Sequence, residues 1–152
     1  TEKRVKELQE DLLSSVSERL THYAHRFGML NLNSAQLRGN GQLPLTKGGK
    51  QTSYSHCTDG EKLRLKVAAV LALISVAEAR GVGRHPGLLM LDSPGAQEVA
   101  QSDLDALISG LEEVSGEFKH LQLFIASLSS PAVTKHVAKE RTRYSAGEDP
   151  LW

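Results

Sequence analysis

The chain is poor in the groups that usually announce a chemistry. It has one cysteine, Cys57, and only three Phe, three Tyr and one Trp among 152 residues. Its 18 basic residues are matched by 18 acidic ones. One thiol excludes an internal disulfide, and the scattered His22, His25, His56, His85, His120 and His136 show no metal-ligand spacing, so no zinc site is expected. A reducing, cytoplasmic setting is the expectation. Zero net charge argues against wholesale wrapping of nucleic acid and leaves room only for local basic patches. With 39% hydrophobic but 5% aromatic residues, the core has to be aliphatic. No apolar run approaches the roughly 20 residues that cross a bilayer, and the charged start "TEKRVKELQED" is no signal peptide, so no membrane partner is expected. The length suits one compact domain or one lobe of a larger one. The uncapped, mid-helix start is read as a cut from a longer chain.

What is present has clear periodicity. Residues 2 to 27 predict one long helix, with Val5, Leu8, Leu12, Val16, Leu20, Tyr23 and Phe27 recurring in steps of three and four. This is close to a heptad seam with one extra four-residue step. It fits equally an amphipathic helix lying on its own domain and the end of a coiled coil. Gly28 is a plausible helix stop. Residues 29 to 54, rich in Gly, Asn, Gln and Thr, predict short antiparallel strands turning at "RGNGQ" and "KGGK". A second helix is predicted over 60 to 80, with Leu63, Val67, Val70, Leu71, Ile74 and Ala77 as its apolar stripe. The run Leu88 to Leu91 predicts a parallel strand buried on both faces. A helix over 98 to 115, a second buried strand over 120 to 127, a short helix near Pro131 and an edge strand in "RTRYSA" follow. Alternating strands and helices predict an α/β fold with a parallel sheet.

Two places carry candidate chemistry. Asp92 ends the apolar strand, and ligands of open α/β sheets collect at the carboxyl ends of strands. A carboxylate there can hold hydrated Mg²⁺, or it can simply cap the Asp-Ser-Pro-Gly turn. Thr58 and Glu61 have capping-box spacing, and Gly60 lets a ligand approach the first helical turn. Free amides at such a helix start suit a phosphate; a well-made cap with no ligand explains the same residues. Cys57 reads as a buried small residue rather than a nucleophile. The basic run Lys135, Lys139, Arg141 and Arg143 reads as a solvated face, with a DNA-facing patch as the alternative. Trp152 reads as a tail anchor or part of a continuing segment.

Taken together, these segments have the order of a known set. "CTDGEKLRLKVAAVLAL" resembles the signature segment, and "LLMLDSPG" the Walker B strand, of the SMC/RecN-like coiled-coil ABC-type ATPases. "QLFIAS" falls where that family has the strand leading to its switch residue, and the first helix resembles the coiled coil returning to the head. The resemblance implies the C-terminal half of a P-loop NTPase head. Residues 1–28 would end a coiled-coil helix, and 29–152 would form the lobe carrying signature motif and Walker B. It implies that Thr58, Asp59, Gly60 and Glu61 bind the γ-phosphate of ATP held by a second head, that Asp92 organises Mg²⁺, and that Ser127 precedes the switch position. ATP and Mg²⁺ are thus the implied cofactors, and DNA maintenance or repair is the implied setting.

The chain departs from the family's pattern at defined positions. Ser93 occupies the usual catalytic glutamate slot, and Glu98 is the acid that could serve instead. Leu128 replaces the switch histidine, Asp59 a signature glycine, and Val99 an aspartate common after Walker B. These changes bear on hydrolysis more than on binding, and a hydrolysis-poor, ATP-gated scaffold is the rival expectation. No Gly-x-x-x-x-Gly-Lys-Ser/Thr occurs, and "TKGGKQTS", residues 46 to 53, has its residue types at the wrong spacing. The implied partners are an N-terminal Walker A lobe of the same protein and a second ATPase head.

Overall fold

The computed structural model describes residues 2–82, 85–92, 94, 99–127 and 131–143. Helix α1 (Glu2–Arg26) leads into an antiparallel sheet of β1 (Leu32–Ala35), β2 (Pro44–Lys47) and β3 (Lys50–Ser53). Helix α2 (Asp59–Ala79), β4 (Leu88–Asp92), α3 (Gln101–Ser115), β5 (Gln122–Ala126) and the short α4 (Pro131–His136) follow, with β4 and β5 paired in parallel. The α/β class follows from the alternation of apolar periods. "TKGGKQTS" forms the β2–β3 hairpin, turning at Gly48 and Gly49 (φ 53° and 77°), so these lysines flank a turn.

Helix α1 has two different halves. Val16, Leu20, Tyr23 and Ala24 are buried against the core, while Val5 and Leu8 remain 64% and 59% exposed. The second half thus lies on its own domain, while the first half leaves its apolar seam open. A polar row at four-residue spacing runs down the packed half: the Ser17 and Thr21 hydroxyls accept from the amides of Leu37 (2.9 Å) and Ala35 (3.1 Å), and His25 Nε2 lies 2.5 Å from the Leu32 carbonyl. These bonds satisfy backbone groups of β1 and of Leu37 just beyond it. At the end of α1, Gly28 takes φ 84°; its amide reaches the His25 carbonyl (2.9 Å), and the Met29 amide reaches that of Ala24 (3.0 Å). This pair of bonds is a Schellman turn, which glycine enters without a Cβ penalty.

Helix α2 packs along the second half of α1. The ends that meet are the end of α1 with the start of α2, and Asp11 with Arg80, whose Nη2 stands 2.8 Å from Asp11 Oδ2. The core around them is aliphatic apart from the aromatic Tyr23, Phe27 and Phe118 and the sulfur-bearing Met29 and Cys57. Each fully buried Leu or Phe there contributes about 1.5–3 kcal/mol relative to exposure.

The parallel pair departs from the sequence expectation. Neither strand is buried on both faces: Leu89, Leu91 and Leu123 face the core, while Leu88, Met90 and Phe124 are 42%, 70% and 56% exposed. The pairing Leu88↔Gln122 through Asp92↔Ala126 puts all the outward residues on one face. A wholly apolar strand predicts two covered faces, and here helices cover one; no described element lies over the other. Helix α3 begins at Gln101 rather than at 98, and the expected edge strand in "RTRYSA" is not formed among its described residues, where Lys139–Arg141 makes a 3-10 turn. No described helix is long and apolar enough to cross a membrane.

Candidate functional site

The start of α2 is built as its sequence predicts. Thr58 Oγ1 accepts from the Glu61 amide (3.2 Å), and Glu61 Oε2 accepts from the Thr58 amide (3.1 Å), a complete capping box. Lys47, at the end of β2, donates to Glu61 Oε1 at 2.5 Å and so fastens the hairpin to the cap. Burial raises the Glu61 carboxyl pKa, but the bonds from Lys47 and the Thr58 amide outweigh it, and the net position is below the ordinary value. Asp59 turns to Lys62 (3.5 Å) one turn on, away from the helix end. Thr58 and Asp59 are exposed, so the amides of the first turn face a surface that an anion can reach. Cys57 is buried just before the cap. Its burial, and then the nearby Glu61, push the thiol pKa up against the opposing pull of Lys47 and Lys62, which suits an inert small residue.

Gly60 has a second reason to be glycine, one that its own segment of sequence does not show. It is buried, and its Cα lies against the Asp103 carboxylate of α3, so a Cβ there would collide with that side chain. The glycine is therefore required for the packing of α2 against α3. Asp103 in turn pairs with Arg64 Nη2 at 2.9 Å. Arg64 is the one charged residue in the core among the described residues, 7% exposed. Its Nε donates to the Gly60 carbonyl (3.1 Å) and its Nη1 to the Phe27 carbonyl (3.3 Å). Sequence reasoning missed Arg64, Asp103 and Lys47. Arg64 left a signal, because it shares a helical face with the buried Val67, Ala68 and Leu71. The other two pair across sequence distance and left none.

Asp92 is exposed at the carboxyl end of β4, on the same open face as Met90 and Phe124. Ser127 follows Ala126, the register partner of Asp92, so the two candidates share one end of the sheet. Ser93, Glu98, Leu128 and Trp152 lie outside the described residues. Val99 is half-buried against Leu104 and Ile108. Among the described residues no three His, Cys, Asp or Glu side chains gather as a metal cage. The basic run is partly committed: Lys135 Nζ and His136 Nε2 both reach Asp105, at 3.1 and 3.0 Å.

No family model matches the chain, and no curated protein does. Solved structures match its fold. One, from work on ATP-driven dimerization and DNA-stimulated activation of SMC ATPases, superposes with a TM-score of 0.64 at 15% identity, over 87% of this chain and 78% of that one. An SMC head bound to the C-terminal winged-helix domain of ScpA gives 0.57 at 13% identity, over 82% and 37%. An SMC head with an extended coiled coil, bound to the C-terminal domain of ScpA from Pyrococcus furiosus, gives 0.57 at 14%, over 81% and 30%. This chain thus spans well under half of two of those three heads. At such identities the likeness carries the fold alone, and that fold is the α/β fold of SMC ATPase heads.

Proposed function

We propose that this chain is the part of an SMC-like ATPase head that supplies the signature-type helix start, Thr58 to Glu61, and the Walker B-type carboxylate, Asp92. It would act in DNA maintenance or repair, completed by an N-terminal lobe with the phosphate-binding loop and by a second head. The observation that carries this is the place of Asp92: an exposed carboxylate ending a parallel strand in an SMC-head fold. The open apolar face around it, Leu88, Met90 and Phe124, supports the completing lobe, because a parallel strand is normally covered on both sides.

The residues present fit a magnesium nucleotide. Asp92 offers the single hard oxygen ligand that Mg²⁺ commonly takes from protein, the remaining ligands being water and phosphate. Bound there, the ion would neutralise phosphate oxygens. The α2 start contributes differently. Around it Lys47, Lys62 and Arg64 are balanced by Asp59, Glu61 and Asp103, so a phosphate would be held by oriented amides and the helix dipole rather than by net charge. Thr58 and Asp59 face outward, as contact with nucleotide on a second head requires. Glu98 is the acid proposed to polarise the attacking water, since Ser93 carries no carboxylate.

In the complete protein, Asp92→Ala should abolish Mg²⁺-dependent ATP turnover, and unchanged turnover would count against the assignment. Ser93 and Leu128 favour a second reading, an ATP-gated scaffold that dimerises but barely hydrolyses. Measuring head dimerisation and phosphate release on one sample separates the two: dimers without release support the scaffold. Loss of release in Glu98→Gln with release intact in Ser93→Ala supports the ATPase.

A further inference from the structure

Three helix ends converge on one buried guanidinium. The Phe27 carbonyl is the cap carbonyl of α1, the Gly60 carbonyl belongs to the first turn of α2, and Asp103 lies in the first turn of α3. Arg64 bonds all three through separate nitrogens of one planar group. Such a fork has fixed donor directions, so its acceptors cannot move independently without losing a bond. Nor can the charge turn to water instead, because Arg64 is buried and leaving it unpaired is costly. Asp103 adds a steric constraint, since its carboxylate fills the space a side chain at position 60 would need.

We propose that Arg64 is a positioning residue coupling the phosphate-binding turn of α2 to the end of α1, so that an anion landing on Thr58 to Glu61 alters the Schellman turn at Gly28. This rests on the ATPase-head function proposed above. An anion drawing the first-turn amides outward displaces the Gly60 carbonyl; Arg64 follows, and the Phe27 carbonyl follows Arg64. Residues 2 to 10 of α1 are all exposed, so a small change at the helix end is carried along a rigid rod to its far tip. Arg64 touches no nucleotide in this scheme and acts only through Gly60 and Phe27.

The test is hydrogen exchange in the complete protein, read at the Gly28 and Met29 amides, whose bonds close the Schellman turn. Exchange is compared with and without saturating ATP and Mg²⁺, and ATP binding is measured separately. In the wild type, nucleotide should change exchange at these amides several-fold. Arg64→Lys keeps a cation for Asp103 but cannot reach all three acceptors; it should still bind ATP and lose the change. Asp103→Asn, altered at a side chain 27% exposed, provides the second variant should Arg64→Lys fail to fold, and should at least halve the change. A wild type that binds ATP with no change at Gly28 and Met29 overturns the coupling alone. So does a folded Arg64→Lys, or, where that variant does not fold, an Asp103→Asn, with the full wild-type response. A wild type that does not bind ATP overturns the ATPase-head function and the coupling with it.

Discussion

Single residues fix the candidate anion site more tightly than its motif does. Lys47 reaches Glu61 with both side chains mostly buried, 21% and 15% exposed, and removing the ammonium leaves a half-buried carboxylate with one partner fewer. Lys47→Met should therefore cost about 1–3 kcal/mol at neutral pH, measured by urea unfolding. The pH dependence has a definite sign. The Glu61 pKa is lowered in the folded state, so the unfolded chain binds more protons as acid is added. Its stabilisation is full above the ordinary carboxylate range and is lost as pH falls through that range and below it. Asp105 acts in the same direction, its pKa lowered by the bonds from Lys135 and then His136. The unfolding midpoint should fall between about pH 6 and pH 3, less steeply in Lys47→Met than in the wild type. Cys57, with a raised thiol pKa and 6% exposure, should react with a thiol reagent far more slowly in the native than in the urea-unfolded chain.

Among the elements, α1 is the one whose sequence pattern covers two environments. One seam runs its whole length, but only its second half meets α2 and β1. Leu20→Ala, at a site with 0% exposure, should cost about 2–5 kcal/mol in thermal or urea unfolding, whereas Leu8→Ala, 59% exposed, should cost almost nothing in this chain. A comparable loss at both positions would mean that the first half is also packed. Periodicity made the helix and its apolar face legible. It could not tell where the partner ends, because the same three- and four-residue spacing serves an intramolecular core and an exposed seam. The polar row Ser17, Thr21 and His25 was equally visible in the letters. Its use, satisfying β1 backbone groups, depends on how strand and helix lie side by side.

For the molecule as a whole, the parallel pair is the unfinished part. Met90 and Phe124 lie exposed on one face of β4–β5 while their neighbours Leu89, Leu91 and Leu123 are packed. Exposed apolar strand surface promotes association. Met90→Lys with Phe124→Lys should leave the melting temperature of this chain within a few degrees and lower its light scattering at high concentration. A large drop in melting temperature instead would show that the face is already covered. Much of the candidate site was legible because it is local: Thr58 and Glu61 find each other three residues apart, and Asp92 follows its apolar strand directly. The role of Gly60 was not legible, since its neighbour Asp103 arrives from a helix more than forty residues away.

The sequence by itself determined the elements and their order, the capping box at Thr58, the turn at Gly28 and the strand ending in Asp92, because each depends on contacts within a few residues. Tertiary structure alone decided which half of α1 is buried, that one face of the parallel strands stays open, and that Arg64 joins three helix ends. Those outcomes depend on which surfaces meet across the chain, and a linear pattern of apolar and polar residues is compatible with more than one such meeting.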